Sequence, residues 1–284
     1  MGKLGMGWLR DLPDFRDYTV ETEPVKGMLA KVGLPFDWSC PACSDLRPWC
    51  PPIEDQGNLG SCTAQAGVAL LEYYERRAFD NHIDASRLFL YKVTRKLLGW
   101  TGDTGAYLRT TMGAMRLFGI PPEKNWPYLL DFYDDEPTAF VYALAKEYQA
   151  LTYYRLDPVG VPTTSLLSAI KTHINCGLPS MFGFVVFSCI RDIDRGRIPF
   201  PCARDDVLGG HAVVAVGYAD DLKIKNPRCG EETTGALLIR NSWGTDWGED
   251  GYGWLPYQYI LMGLAVDWWS LLKAEWIDTG QFGL

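Results

Sequence analysis

The spacing of apolar residues divides the chain into a helix-rich part and a strand-rich part. Between residues 61 and 147, apolar side chains recur at helical intervals, as at Ala64, Val68 and Leu71. Later in the chain, one more helical stretch is followed by short apolar runs typical of strands. The first predicted helix begins near Cys62, the next two span 86–99 and 107–118, the fourth begins at Pro137 and the last spans 164–175. The predicted strands are 182–187, 212–216, 236–239 and 252–255. Helices first and strands later predict an α+β protein with a cleft between two lobes.

The first forty or so residues differ from the rest. They mix charges with proline and glycine, as in the string DLPDFRDY (11–18), and show no sustained period. The proline-rich stretch 48–52 then interrupts regular structure. The expected parts are an N-terminal segment (1–44) and a domain (45–284) made of a helical lobe (about 54–150) and a β-rich lobe (about 151–284).

The overall charge argues against two classes of partner. The chain of 284 residues is 47% hydrophobic, enough for a core, and carries a net charge of -8. Nucleic acids and anionic membranes attract basic surfaces, so we expect neither as a partner. The N-terminus lacks the apolar region of a secretory signal. We expect a monomer and favour the cytoplasm, although an exported chain trimmed of its leader would look the same.

Eight cysteines allow both free thiols and disulfides. They stand at positions 40, 43, 50, 62, 176, 189, 202 and 229. If one is a free nucleophile, at least one other is also unpaired. Cys40 and Cys43, with Cys50, could be part of a zinc site, but no second Cys or His pair stands at metal-ligand spacing. We therefore expect no metal, and the first pair to be two thiols or one disulfide.

The string QGNLGSC (56–62) combines a tight turn with the start of an amphipathic helix. It places Cys62 in the first helical turn, where unpaired N–H groups and the helix dipole favour a thiolate. The N–H of Cys62 and the side chain of Gln56 could donate hydrogen bonds to an oxyanion. By itself the string also fits a buried, inert cysteine.

The three histidines differ in their surroundings. His82 lies in a polar loop, and His173 lies beside the apolar stripe of a helix, where a packing role is the simplest interpretation. His211 follows two glycines and opens a strongly apolar strand. A histidine at the mouth of a buried strand can project into a cleft and meet a thiol, so His211 is the candidate base.

The string LIRNSWGTDWG (238–248) ends a strand with an amide followed by two tryptophans. The Asn241 amide oxygen can accept from one imidazole nitrogen and so fix which nitrogen faces the thiol. An indole beside that bond can shield it from water. A polar strand end with two core tryptophans explains this string alone, but it does not explain the three strings together.

Together, these strings resemble the papain/cathepsin family of cysteine peptidases, in particular its bacterial-type branch. The pair Gln56 and Cys62 resembles the family's oxyanion glutamine and nucleophile, and the string GGHAV (209–213) resembles the segment around its catalytic histidine. The string NSWGTDWG (241–248) matches the family's most specific string without a mismatch. With weaker likenesses elsewhere, the resemblance covers roughly residues 45 to 260.

The resemblance implies a papain-like fold with a helical N-terminal lobe, a β-barrel-like C-terminal lobe and an active-site cleft between them. It also implies hydrolysis of a peptide or protein substrate through a thioester, without a cofactor. The catalytic residues would be Cys62, His211, Asn241 and Gln56, supported by Trp243, and the substrate-binding residues Gly105, Gly210 and Trp247.

Some features depart from the family pattern or leave alternatives open. Leu59 and Thr63 stand where the family usually has a cysteine and a tryptophan, and the 30 residues from His211 to Asn241 suggest an enlarged loop around 220–234. The resemblance implies that the N-terminal segment acts as an inhibitory pro-region. A non-catalytic peptide-binding module, or a thiol acyltransferase or transglutaminase on the same fold, stays open.

Overall fold

In the computed structural model, which describes residues 5–34, 40–148 and 152–283, helices pack against one antiparallel sheet. The helices are α1 (Glu23–Lys31), α2 (Cys62–Phe79), α3 (Arg87–Leu97), α4 (Leu108–Phe118), α5 (Ala139–Ala145), α6 (Thr163–Asn175), α7 (Gln258–Leu261) and α8 (Ala274–Ile277). The strands are β1 (Cys43–Asp45), β2 (Thr152–Arg155), β3 (Ser180–Phe187), β4 (Val207–Lys225), β5 (Glu232–Arg240), β6 (Tyr252–Pro256) and β7 (Ala265–Leu272). This composition confirms the predicted α+β class.

The helical lobe is organised around α2, which is buried along its first thirteen residues, 62–74. The helices predicted from apolar spacing form within a residue or two of their expected bounds. The fourth begins later, because Thr138 rather than Pro137 caps it and accepts a hydrogen bond from the Val141 N–H at 3.4 Å. In the described part of the chain, no helix combines the length and the apolar character needed to cross a membrane.

The β-rich lobe is one sheet of seven described strands, in the order β2-β7-β3-β4-β5-β6, with β1 paired to β4. The strand predicted at 212–216 is the buried centre of the much longer β4. Residues 223–225 pair with 232–234, so most of the loop expected around 220–234 is a β-ribbon instead. The strand β7 escaped prediction because it is buried on both faces and lacks alternation.

The N-terminal segment has more regular structure than its composition predicts. Its helix α1 buries Val25 and Leu29, and it contacts β2 and α8. The predicted domain boundary after residue 44 lies inside β1, where Cys43 already pairs with Ala219 of β4. Two apolar side chains one turn apart suffice to seat α1, a pattern too short to stand out in the sequence.

One disulfide joins Cys202 to Cys229, and the other cysteines are free thiols. The disulfide links the loop that precedes β4 to the turn between β4 and β5. Cys40 contacts the Thr172 hydroxyl at 3.6 Å, and Cys50 donates to the Leu46 carbonyl at 3.5 Å. Across the described ranges, no three His, Cys, Asp or Glu side chains cluster as metal ligands. The first pair of cysteines is therefore two separate thiols.

Candidate active site

Cys62 is the first residue of α2, where that helix meets the sheet. The turn before it is fixed at both ends, since the Gly60 N–H donates to the Asp103 carboxylate at 2.9 Å and the Leu59 N–H donates to the Gln56 carbonyl at 3.4 Å. The Cys62 side chain is fully buried. The structure thus places the thiol at the helix N-terminus, as the glycine-rich turn predicted.

His211 lies on β4 and Asn241 directly follows β5, its neighbour in the sheet. The His211 Nε2 lies 2.7 Å from the Asn241 Oδ1, which also accepts the Ser242 N–H at 2.8 Å. Because Oδ1 is an acceptor for both, Nε2 carries a proton and Nδ1 is the open nitrogen of the neutral ring. Nδ1 is buried and has no hydrogen-bond partner among the described residues. The amide therefore holds the imidazole with one nitrogen available for chemistry.

One indole covers the His211 ring, and a second packs against the first. The Trp243 ring stacks on the His211 ring with centroids 4.2 Å apart, and Trp247 meets Trp243 edge-on at 5.4 Å. Both tryptophans are buried. Shielding from water strengthens the amide–imidazole bond, as the sequence predicted for Trp243. Trp247 packs on Trp243, on the side away from the imidazole, so its predicted contact with substrate stays a prediction.

Gln56 is held beside the cysteine turn by both ends of its amide. Its Nε2 donates to the Leu59 carbonyl at 2.8 Å, and its Oε1 accepts from the Ser242 hydroxyl at 2.6 Å. Since an amide nitrogen carries two hydrogens, one N–H remains for another acceptor. Gln56 is therefore oriented as a donor next to Cys62.

The cleft is occupied by the chain's own residues 5–9. On one wall, the Trp8 N–H donates to the Gly210 carbonyl at 3.2 Å. On the opposite wall, the Ala106 N–H donates to the Gly7 carbonyl at 2.8 Å and the Leu9 N–H donates to the Ala106 carbonyl at 3.1 Å. Sequence reasoning assigned that wall to Gly105. Gly105 adjoins these bonds, and a Cβ there would collide with the Gly7 carbonyl, so its predicted contact with substrate stays a prediction.

Glycines in the segment permit this close approach. A Cβ on Gly5 would lie 2.6 Å from the Leu59 carbonyl oxygen and 2.8 Å from the Gln56 Nε2, and one on Gly7 would collide with the Gly60 carbonyl. The Gly5 carbonyl also accepts the Trp243 indole N–H at 2.9 Å. The two glycines of the string GMGW (5–8) are a signal of close packing between two backbone segments. The string has no period or motif from which the second segment could be predicted.

Burial shifts the pKa values of both side chains at the site. Desolvation raises the pKa of the Cys62 thiol to about 11, although backbone N–H groups, including those of Ala212 and Gly7, act in the opposite direction. Desolvation also lowers the pKa of His211 to about 4, against the effect of the bond from Asn241. The expectation that the helix N-terminus lowers the thiol pKa is therefore wrong for this state, because exclusion of water outweighs the helix dipole. Both groups are neutral at pH 7.

The helix that begins at Cys62 packs on β4, the strand of His211, whose imidazole bonds to the Asn241 amide. A thiol, an imidazole and an amide on these elements are typical of a cysteine peptidase. The family model "Papain family cysteine protease" matches residues 36–259, and the chain belongs to that family. It is a cysteine peptidase, and the predicted recognition and papain-like fold are confirmed.

The comparisons include bacterial, viral and animal proteins. The crystal structure of xylellain, a cysteine protease from Xylella fastidiosa, superposes with a TM-score of 0.76 at 32% identity, covering 96% of this chain and 97% of that one. An uncharacterized peptidase C1-like protein of Acanthamoeba polyphaga mimivirus is 33% identical over 227 residues, which are 78% of this chain and 69% of that protein. Cathepsin K of Gallus gallus is 28% identical over 76% of this chain and only 59% of its own length.

Proposed function

We propose that this peptidase hydrolyses peptide bonds with Cys62 as nucleophile, His211 as base and acid, and Asn241 as the residue that orients His211. The observation that carries the proposal is the hydrogen bond from Nε2 to the Asn241 amide, which leaves Nδ1 open beside the cleft. Gln56 serves as one oxyanion donor and the Cys62 N–H as the other. Peptides and proteins are the substrates.

The reaction requires that water and substrate replace the N-terminal segment. The exposed thiol then transfers its proton to His211, and the thiolate attacks the scissile carbonyl carbon. The oxyanion accepts from the Cys62 N–H and from Gln56, and His211 protonates the leaving amine. Water activated by His211 then hydrolyses the thioester and releases the acid product.

The N-terminal segment holds the enzyme latent in this proposal. Residues 5–9 span both walls of the cleft and keep the thiol and imidazole neutral. The groups of the segment that lower the thiol pKa are the N–H groups of Gly7 and Trp8. A scissile bond must instead present its carbonyl carbon to the sulfur. The segment therefore fills the site without being placed as a substrate.

The test is a change that dislodges the segment without altering the catalytic residues. In the full-length chain, Gly7→Val adds a side chain that collides with the Gly60 carbonyl, so the segment leaves the cleft. We expect hydrolysis of fluorogenic peptides to rise at least roughly tenfold. Gly27→Ala is the matched control, because a Cβ on that glycine of α1 meets nothing within 4 Å.

Two outcomes would count against the proposal. Equal rates for wild type and Gly7→Val would refute latency, and unchanged hydrolysis after Cys62→Ala in the Gly7→Val chain would refute the nucleophile. Transfer of the acyl group to an added amine in preference to water would assign the acyltransferase alternative instead.

A further inference from the structure

The indole of Trp8 fills a closed side-chain pocket next to the catalytic cysteine. Trp8 is only 6% exposed, although it belongs to a segment that must leave for activity. Two glycines provide the space, because a Cβ on Gly183 or on Gly210 would collide with the indole or its backbone. The Trp8 N–H adjoins the Cys62 thiol, so this pocket receives a side chain close to the reacting bond.

The floor of the pocket is a single fixed carboxylate. The Asp267 Oδ2 accepts the Trp8 indole N–H at 3.0 Å. Its Oδ1 is already used, accepting from the Trp269 indole at 2.7 Å and lying 3.2 Å from an Arg155 nitrogen. Asp267 is fully buried and has φ 64°, a conformation that aspartate and asparagine tolerate better than most residues. When Trp8 leaves, Oδ2 therefore loses its hydrogen-bond donor, while the contacts of Oδ1 hold the carboxylate in place.

Ion pairs within the catalytic domain keep Asp267 in position. Arg155 also pairs with Asp157 at 2.9 Å, so one guanidinium faces two carboxylates of the catalytic domain. It lies 3.8 Å from Asp17, a residue of the N-terminal segment. Removing the segment takes Asp17 away, and Arg155 keeps both Asp157 and Asp267 as partners, so the Asp267 carboxylate stays fixed.

On the basis of the proposed function, we propose that Asp267 determines substrate specificity by selecting a large side chain that ends in an N–H donor, tryptophan foremost. A phenylalanine there would leave a buried carboxylate oxygen without its partner, and a leucine would also leave space unfilled. Trp8 occupies the pocket in the latent enzyme as a stand-in for that side chain.

Matched peptides test the hydrogen bond independently of size. Fluorogenic peptides carry either tryptophan or 3-benzothienylalanine, which replaces the indole N–H by sulfur with nearly the same shape. The residue is placed in turn at each of the three positions before the scissile bond, and the enzyme is the full-length Gly7→Val chain. At one position we expect kcat/KM to be at least roughly tenfold higher for tryptophan. Equal rates at all three positions would overturn the inference.

The second part of the test adds the substitution Asp267→Asn to the Gly7→Val chain. Asparagine tolerates the positive φ, and its amide N–H replaces the accepting Oδ2, so the tryptophan preference should fall to near one or reverse. A preference kept in this variant would overturn the role of Asp267. The readout is a ratio within each protein, so a general loss of activity does not change it. No turnover of any peptide by the Gly7→Val chain would overturn the proposed function and this inference together, whereas turnover without preference overturns the inference alone.

Discussion

At the scale of single residues, position and protonation have separate causes. The Asn241 amide orients His211, and the helix N-terminus places Cys62, and both follow from local sequence. The pKa values of the two reacting groups follow instead from burial under a distant segment. The positions of Cys62 and His211 are therefore fixed in this state, and we expect the thiolate–imidazolium pair to form only after water enters the cleft.

Asn241 should act through the imidazole alone. In the Gly7→Val chain, Asn241→Ala should lower kcat/KM roughly tenfold to a hundredfold, because the imidazolium loses its acceptor. Asn241→Asp keeps the acceptor and adds a negative charge, which raises the pKa of His211. The alkaline limb of the pH–rate profile should then move to higher pH. An Asp variant as slow as the Ala variant, with an unmoved profile, would contradict this role.

At the scale of elements, periodic parts were predictable and the element that fills the cleft was not. The helix α2 and the centre of β4 have apolar patterns that specify their type, and strings at their ends specify Cys62 and His211. Residues 5–9 are held by backbone bonds to two walls and by one indole, and they show no periodic pattern from which their partners could be predicted. Asp267 was missed for a similar reason, since its role depends on Trp8, 259 residues away.

The helix α2 also contains a buried carboxyl that should make stability depend on pH. Burial raises the pKa of Glu72 to about 8, although its Oε1 accepts the Ala85 N–H at 2.9 Å. The raised pKa means that the folded state keeps its proton after the unfolded state has lost it, so stability falls as pH rises from about 4.5 to 8. Glu72→Gln removes this dependence and retains the acceptor.

Chemical denaturation at two pH values measures this effect. The free energy of unfolding of Glu72→Gln should exceed that of wild type by about 2–4 kcal/mol at pH 8 and match it near pH 4. Glu275→Gln, at an exposed position on α8, is the control and should change little at either pH. A Glu72→Gln difference that is the same at both pH values would contradict the account.

At the scale of the whole molecule, the segment is fastened at points beyond the active site. Arg109 of α4 donates to Asp17 at 2.7 Å and also pairs with Asp11. Arg155 donates to the Asp11 carbonyl at 3.3 Å and forms an ion pair with Asp267, which accepts the Trp8 indole N–H. The contacts of α1 with α8 and β2 hold the segment's other end. If the segment holds the enzyme latent, as proposed, these distant ion pairs should influence how often it leaves the cleft.

Asp17→Asn should make the segment leave the cleft more often. The Asp17 side chain is 6% exposed, so removing its charge deprives the partly buried Arg109 of one of its two carboxylate partners. Basal hydrolysis by the otherwise wild-type chain should rise at least roughly threefold. Asp14→Asn is the matched control, because Asp14 pairs with exposed Arg16 inside the segment. Similar rates for both variants and wild type would show that these ion pairs do not hold the segment.

The most direct measurement is the rate at which iodoacetamide alkylates Cys62 at pH 7, followed by peptide mass spectrometry with the exposed thiol of Cys43 as internal reference. In wild type, Cys62 should react far more slowly than Cys43, because its thiol is buried and protonated. In Gly7→Val it should react at least roughly a hundredfold faster than in wild type, since water and His211 then support a thiolate. Equal alkylation rates of Cys62 in the two proteins would contradict the account.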